Sequence, residues 1–192
     1  MGNREDLLAG ARRVILERGV AKATARDIAS AAGVSLAAIG YHFGSKERLV
    51  TEALMESLSD GIGDPMEAVV AETAGLPLLE GFAELWKRMP EVFAQNREAL
   101  LASLENSVRV LRDPEAGRHM AVGTSEAYRG IAEQLSAARP ELDPADAEAI
   151  AKLEFVLVQS LGILWLIAPD AVPTGDELAR AVQVIAASPP AE

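Results

Sequence analysis

The sequence predicts an all-α protein. Of its 192 residues, 49% are hydrophobic but only 4% are aromatic, and the apolar residues recur at helical rather than alternating spacing. Runs of β-branched residues bounded by turns, which are typical of strands, are missing. Glycine and proline divide the chain into segments of helical length. A chain of this length can bury a substantial core in one or two domains.

Residues 24–49 predict two short helices joined by a glycine turn, followed by the start of a third helix. Thr24 is placed to cap a helix that runs to Ala32, and Gly33 ends it. Ser35 is expected to cap the second helix, which runs to about Tyr41, and Ser45 to cap the third. The outer face of the second helix of such a unit is free to enter a DNA major groove.

The preceding segment completes a three-helix head. Residues 3–18 carry a one-sided apolar stripe that ends at Gly19. We expect this first helix to pack across the two helices of residues 24–41. Ile28, Val34, Ile39 and Phe43 are assigned to the core of the head.

The pattern AxxAGVSxxxIxYHFGSKExL, read from Ala29 to Leu49, resembles the helix-turn-helix signature of the TetR family of transcriptional regulators. The resemblance covers roughly the first fifty residues and implies a DNA-binding head on a helical, ligand-binding body. Many relatives carry a glycine or a polar residue where Ala37 stands and a tyrosine where Gly40 stands. Base reading here would therefore rest on fewer polar side chains.

The distribution of charge agrees with a head that meets phosphates. The chain carries a net charge of −11, but residues 1–50 hold eight Lys and Arg against five Asp and Glu, a balance of +3. The remainder therefore carries −14. A basic head on an acidic body fits nucleic-acid binding by the head alone, although a chance asymmetry of a solvated surface remains the alternative.

The candidate contacts to DNA divide by chemistry. Arg26 and Lys46 can neutralise phosphates, and Thr24 and Ser35 lie at helix starts whose amides suit phosphate. Tyr41 and His42, by resemblance, form a backbone-contacting pair, and a purely structural His42 is the alternative. Apolar contacts to thymine methyls are the role predicted for the exposed first turns of the second helix, at Leu36, Ala37 and Ala38.

The remaining chain predicts a helical body, with domains at residues 1–48 and 49–192. Its expected helices cover residues 45–59, 65–75, 77–95, 96–112, 114–138, 143–168 and 174–187. Gly61, Gly63 and Pro65 should break the helical pattern after the first of these, and Pro90 should kink or split the third. Ser188-Pro189-Pro190 is expected to fray at the end.

Aromatic and methionine side chains concentrated in the body suggest an adaptable apolar pocket. The candidate ligand-binding residues are Met66, Phe82, Trp86, Met89, Phe93, Asn106, Phe155 and Gln159. Core packing alone is the alternative for each apolar member, because helical spacing of apolar residues needs no ligand to explain it. Glu105 is expected to face solvent.

The segment FVLVQSLGILWLI, residues 155–167, is apolar on nearly every side and must be buried on every side. Its thirteen residues fall short of the ~20 that span a bilayer, so no membrane association is predicted. One side can face the body's own core and the other a partner chain. We therefore predict a homodimer in which helices 114–138 and 143–168 of two chains form a four-helix bundle.

The sequence gives little evidence for a catalytic function. It contains two histidines and no cysteine, which excludes thiolate chemistry and offers few bases for nucleophilic catalysis. His119 stands on a surface helix without the partners that a metal site requires. No catalytic residue, metal site or cofactor is predicted, and a cytoplasmic location is expected from the lack of cysteine and of a signal-peptide core.

The predicted function is that of a one-component transcriptional regulator. By resemblance it is a repressor that binds a palindromic site in double-stranded DNA as a homodimer and is released by a small apolar or amphipathic effector. The alternative is a ligand-binding helical protein whose degenerate head no longer reads DNA and which acts through a protein partner. An enzyme ranks third.

Overall fold

A computed structural model of the protein describes residues 3–187, and over this range it is all-α, without a strand. Its α-helices are α1 (Asn3–Arg18), α2 (Ala25–Ala32), α3 (Ala37–Phe43), α4 (Lys46–Leu58), α5 (Asp64–Glu72), α6 (Leu78–Gln95), α7 (Arg97–Val110), α8 (Pro114–Ala138), α9 (Pro144–Ile167) and α10 (Gly175–Ala187). The predicted fold class is confirmed. The predicted fraying of Ser188-Pro189-Pro190 lies outside the described residues.

The helices form two compact units. The first, here the N-terminal unit, comprises residues 3–61 and 96–123, and the second, the C-terminal unit, comprises residues 62–95 and 124–187. This division differs from the predicted boundary between residues 48 and 49. The reason is that Ala102 of α7 joins the core formed by α1 to α4. Thr51 of α4 is likewise hydrogen-bonded to Asn106 of α7.

The core of the N-terminal unit gathers the apolar stripe of α1 with residues of the next three helices. Ile28, Ile39 and Phe43, as predicted, are buried there, and Val34 packs against them half-buried. α1 crosses α2 so closely that a Cβ on Gly10 would lie 2.9 Å from the amide nitrogen of Ala32. The predicted three-helix head is therefore present.

One expected interruption is wrong, and of the two outcomes expected at Pro90 the split is absent. Instead of a break at Gly61, Gly63 and Pro65, a π-helical turn at Ser59–Gly63 carries α4 into α5. Pro65 lies in the first turn of α5, where the missing amide hydrogen is not needed. Pro90 does not split α6, which runs from Leu78 to Gln95.

In the C-terminal unit, α8 and α9 are antiparallel neighbours, as predicted. The rings of Tyr128 and Phe155 meet edge to face with centroids 5.0 Å apart. Nearer the connection, Leu135 packs with Ala147 and Ala151. α10 starts against α6, where a Cβ on Gly175 would overlap the carbonyl oxygen of Ala83.

Helix α9 leaves one apolar stripe uncovered within a single chain. Leu153, Val156, Ile163 and Ile167 are exposed, whereas Leu161 and Gly162 are buried. Among the described helices, α9 is also the one whose length and composition would allow it to cross a membrane, a property that core helices of soluble proteins share. The segment predicted to be buried on all sides is thus half covered by its own chain.

Candidate nucleic-acid interface and ligand cavity

The start of α2 is held by a capping box. The Thr24 side chain accepts a hydrogen bond from the amide of Asp27 at 3.2 Å, and the Thr24 hydroxyl donates to Asp27 Oδ2 at 2.6 Å. The hydrogen bond from Thr24 is the main cause that lowers the pKa of the Asp27 carboxyl. Gly33 ends the helix in the left-handed region, with φ 69°. The predicted cap and turn are confirmed, and they fix the direction in which α3 leaves the turn.

The start of α3 differs from the prediction for Ser35. The helix begins at Ala37, and its N-cap residue, Leu36, makes no side-chain cap hydrogen bond. The turn closes through the backbone instead, because the amide of Ala38 donates to the carbonyl of Ser35 at 3.0 Å. Ser35 is exposed, so its hydroxyl faces solvent beside the first turn of α3.

One face of α3 is exposed and the other is anchored in the core. Leu36, Ala37, Gly40 and Tyr41 form the exposed face, and Tyr41 is 86% exposed. Ala38 is only 8% exposed, so its predicted role in base contact is wrong. Ala38 directly precedes Ile39, and both side chains belong to the core. A short helix pinned by its inner face therefore presents three apolar positions and one tyrosine.

Tyr41 and His42 stand together at the end of α3. Their rings meet edge to face with centroids 4.9 Å apart, and His42 also contacts the ring of Phe43 at 6.4 Å. His42 is half-buried. Packing against Phe43 fixes the imidazole, which in turn supports one edge of the exposed phenol.

Lys46 is not a free cation. Its ammonium donates to the carbonyl oxygen of Ala23 at 3.2 Å and lies 3.5 Å from Glu47 Oε1. Ser45 caps α4 by accepting from the amide of Arg48 at 3.1 Å, as predicted. An ammonium has three donors, so Lys46 can tie the start of α4 to the start of α2 and still face an anion.

Five of the ten arginines of the N-terminal unit are engaged in ion pairs. Arg4 pairs with Glu52 at 2.7 Å and lies over the ring of Phe43, 5.3 Å from its centroid. Arg18 pairs with Asp27 at 3.1 Å. Arg26 is exposed and takes part in none of the ion pairs found within residues 3–187. Arg26 is therefore a cation that is available to a phosphate.

The C-terminal unit contains a cavity of about 300 Å³ with an almost wholly apolar lining. Its lining includes Leu79, Phe82 and Leu85 of α6, Leu135 of α8, and Ile150 and Leu153 of α9. The volume is at the lower end of the ~300–1,000 Å³ typical of small-molecule pockets. The cavity can therefore hold a compact apolar ligand.

Two charged residues also line this cavity. Arg139 is 7% exposed and donates to the carbonyl oxygens of Leu76 at 2.8 Å and Thr73 at 2.9 Å, so it closes the end of α5. Glu154 is 3% exposed, and its Oε2 has no hydrogen-bond partner. Burial raises the pKa of the Glu154 carboxyl to about 7. An unpaired carboxyl in an apolar cavity is costly unless something binds it.

Comparison with known proteins identifies the family. Residues 7–53 match the family described as bacterial regulatory proteins, tetR family. The chain is 31% identical over 180 residues to the HTH-type transcriptional regulator TtgR of Pseudomonas putida, a match that covers 88% of this chain and 82% of TtgR. The chain belongs to the TetR family.

Two further similarities differ in extent. The HTH-type transcriptional repressor KstR2 of Rhodococcus jostii is 41% identical over 70 residues, which span 36% of this chain but only 34% of KstR2. The crystal structure of the multidrug binding protein EbrR in complex with imidazole is similar over 100% of this chain and 98% of EbrR, with a TM-score of 0.66 and 25% identity. TetR-family proteins are transcription factors without enzymatic activity, and this chain is a TetR-family transcriptional regulator.

Of the eight ligand-binding residues predicted for this TetR-family regulator, Phe82 lines the cavity and the other seven do not. Met66, Trp86, Met89 and Phe93 are buried core residues, Phe155 packs on Tyr128, and Gln159 is exposed. Phe82 and Trp86 lie four residues apart on the same side of α6, with ring centroids 6.0 Å apart, and the cavity reaches Phe82 but not Trp86 one turn further along. Aromatic density therefore pointed to α6, which contributes to this cavity, although most of the residues that it named lie outside the lining.

Asn106 has a structural role in the N-terminal unit. It is 2% exposed, and its amide donates to Thr51 Oγ1 at 3.2 Å and accepts from the Arg109 guanidinium at 2.8 Å. Arg109 also donates to Thr51 Oγ1 at 2.7 Å. These bonds join α4 to α7 and leave Asn106 no part in the cavity. Glu105 faces solvent, as predicted, and accepts from the amide of Val20.

Sequence reasoning missed Glu154, although a signal was present. Ala147, Ala151, Glu154 and Leu161 follow one another at spacings of four, three and seven, and all four are buried. A lone acidic residue on a buried helical stripe predicts either a partner or a ligand. The sequence signal for a structural role of Arg139 was weaker, because the only local cue is that Arg139 directly follows the end of α8 and precedes a proline.

Proposed function

We propose that this regulator is a repressor that binds a palindromic operator as a homodimer and is released by a small apolar or amphipathic effector bound in the C-terminal unit. The observation that carries the proposal is the face of α3, where an 86% exposed tyrosine and an exposed leucine stand on a helix fixed by buried Ile39 and Phe43. Exposed apolar surface on a rigid support is characteristic of a binding surface.

The DNA contacts follow from that face. Leu36 and Ala37 would meet thymine methyls, and Tyr41 the backbone. Cations flank α3 at Arg26 and Lys46, and the exposed hydroxyl of Ser35 and the capped start of α2 at Thr24 add neutral donors. His42 supports Tyr41. This set omits Ala38 because that residue is buried.

Dimer formation is supported by the uncovered stripe of α9. Val156, Ile163 and Ile167 are exposed in one chain, and a second copy of α8 and α9 would cover them in a four-helix bundle. A symmetric pair of heads would then meet two half-sites ~34–36 Å apart, one turn of DNA from each other. Because the protein belongs to this family and α9 is proposed to form the dimer rather than to span a membrane, it would work in the cytoplasm.

Release would pass through the three chain connections between the units. α4 and α7 contribute residues to the core of the N-terminal unit, and the first part of α8 belongs to the same unit, so helices rather than free linkers would carry a change in the C-terminal unit. An effector must prefer the released conformation by several kcal/mol, because a ligand with equal affinity for both conformations shifts nothing.

The experiment is selection of duplexes from a random DNA pool by the purified protein, followed by salt titration of the selected sequence. We expect an inverted repeat whose affinity falls steeply with salt. Tyr41→Ala should weaken binding by roughly tenfold or more. Leu111→Ala is the matched control, because Leu111 is also 86% exposed and lies in the same unit but outside α3.

Each outcome has a distinct meaning. Equal losses in the two variants would remove α3 as the reading surface. Weak binding that is equal on all sequences, after unfolding and refolding to remove a bound effector, would favour the alternative of a degenerate head that acts through a protein partner.

A further inference from the structure

The buried carboxyl of Glu154 is a feature that the proposed function does not yet explain. In the free protein it lines an apolar cavity, is 3% exposed, and leaves Oε2 without a hydrogen-bond partner. Replacing such a group by an apolar one ordinarily stabilises a protein. A buried carboxyl that destabilises the free protein is explained if a ligand supplies its missing hydrogen-bond partner.

The charge of the cavity selects the kind of ligand. Glu154 and Arg139 are the charged residues among the described lining residues. Arg139 already uses two of its five N–H donors on the carbonyl oxygens of Leu76 and Thr73, so its charge, unlike that of Glu154, has hydrogen-bond partners in the free protein. An anionic ligand would meet a bonded arginine and a carboxyl of like charge, whereas a cationic ligand would meet a free acceptor.

We propose that the C-terminal cavity binds a compact lipophilic organic cation, whose ammonium group pairs with Glu154 and whose apolar body packs against Leu79, Phe82, Leu85 and Ile150. The inference depends on the proposed effector-controlled function for its biological meaning, but the binding itself requires no DNA. An ammonium both donates a hydrogen bond and neutralises the carboxylate in surroundings of low dielectric, where such a pair is stronger than in water.

The volume and the lining restrict the body of the ligand. About 300 Å³ accommodates one ring with a short chain rather than a long acyl chain. Phe82 lies on the wall with its ring 6.0 Å from that of Trp86, so an aromatic ligand would meet an aromatic surface already held in place. Phenylbutylamine has this shape, and phenylbutanol is its neutral counterpart.

The test is calorimetric titration of the full-length protein with phenylbutylamine and with phenylbutanol at about pH 5.5 and about pH 8.5, where the amine stays protonated, as a lysine does. Because burial holds the carboxyl half-protonated near pH 7, the affinity for the amine should rise about 30-fold across this interval. The affinity for the alcohol should change much less.

Two variants isolate the carboxyl. Glu154→Gln keeps the shape of the side chain and should weaken amine binding at about pH 8.5 by roughly tenfold or more, with alcohol binding within about threefold. Glu148→Gln is the control, since it removes the same charge from an exposed position on the same helix, paired with Lys152. It should leave both affinities unchanged.

Proton release gives a second readout. At about pH 7 the amine should displace about half a proton from the wild-type protein, measured from the dependence of the binding heat on the buffer, and none from Glu154→Gln. Amine binding equal in wild type and Glu154→Gln, a preference for the alcohol, or no binding of either compound would overturn the proposal. Amine binding through Glu154 that leaves the operator complex intact would preserve the site and contradict only the proposed mode of release.

Discussion

Single residues determine what each surface can do. Tyr41 is exposed although Phe43, two residues later, is buried, because only one face of the seven-residue helix α3 packs against the core. Glu154 is the reverse case, a charged side chain held inside because it stands on the buried stripe of α9. Both positions oppose the usual preference of their side chains, and both coincide with the proposed sites.

The first prediction concerns Glu154 and pH. Burial raises the pKa of this carboxyl from 4.5 to about 7, so the folded protein keeps a proton that the unfolded chain releases. The free energy of unfolding should therefore fall as the pH rises from about 4.5 to 7, by an amount on the order of 3 kcal/mol. Glu154→Gln should lack this part of the pH dependence and should be more stable than wild type at about pH 8.

Urea unfolding at several pH values, followed by tryptophan fluorescence, measures this effect. Trp86 and Trp165 both belong to the C-terminal unit, so the signal reports on the unit that contains the carboxyl. Parallel pH profiles for wild type and Glu154→Gln would show that the carboxyl does not titrate abnormally.

A second prediction concerns the hydrogen bonds around Asn106. Asn106→Ala removes one donor and one acceptor from a buried group that includes Thr51 and Arg109. We expect a loss of about 1–3 kcal/mol of stability, because the remaining polar atoms stay buried. The control is Ser107→Ala, which removes only a bond to the carbonyl of Ser103 in its own helix.

Hydrogen exchange of the α4 and α7 amides distinguishes the two variants. Faster exchange confined to Asn106→Ala is the expected result. If both variants exchange alike, the contact between α4 and α7 depends on apolar packing alone.

At the scale of elements, helix crossings depend on small residues where backbones meet. Gly10 allows α1 to lie against Ile28 and Ala32 of α2. Gly40 lies on the outer face of α3, where an added methyl group would meet nothing within 4 Å. The two glycines thus differ in role although both lie within helices.

A matched pair of alanine variants tests this difference. Gly10→Ala should destabilise the N-terminal unit by about 1–3 kcal/mol, since the added methyl meets backbone atoms that cannot move aside. Gly40→Ala should be neutral or stabilising by up to about 1 kcal/mol through helix propensity. Exchange rates of the α1 and α2 amides measure both, and equal effects would contradict the close crossing.

At the scale of the whole molecule, the surfaces with proposed functions are distributed over two compact units. The N-terminal unit contains the surface proposed to read DNA, and the C-terminal unit contains both the cavity and the uncovered stripe of α9. Because α7 and the first part of α8 belong to the first unit, the regulator is built of interleaved chain segments rather than of two consecutive domains.

The final prediction tests the proposed dimer. Val156→Lys combined with Ile163→Lys places two charges on the exposed stripe of α9 and should yield a monomer with greatly reduced operator affinity, because burying unpaired charges is unfavourable. Val184→Lys is the control on α10, where Val184 is also exposed. Sedimentation velocity gives the oligomeric state, and a monomer from Val184→Lys alone would move the interface to α10.

The sequence alone determined most of the helices, several of their caps and the family. Thr24 with Asp27, Gly33 and Ser45 are local signals whose hydrogen bonds form within one turn, so they can be read without knowledge of the rest of the fold. The pattern from Ala29 to Leu49 also predicted two short helices joined at Gly33, and α2 and α3 are present there. Apolar periodicity identified α8 and α9 as a long antiparallel pair, and it predicted the surface that α9 leaves uncovered.

Only the tertiary structure decided which faces meet. Ala38 is buried, and Phe82 rather than Trp86 lines the cavity. Asn106 is hydrogen-bonded to Thr51, fifty-five residues earlier in the chain. The same packing left Glu154 unpaired in the cavity wall. Helical spacing fixes the angle between residues on one helix, but the neighbour that each angle faces depends on how distant helices cross, and that choice is made by packing over the whole chain.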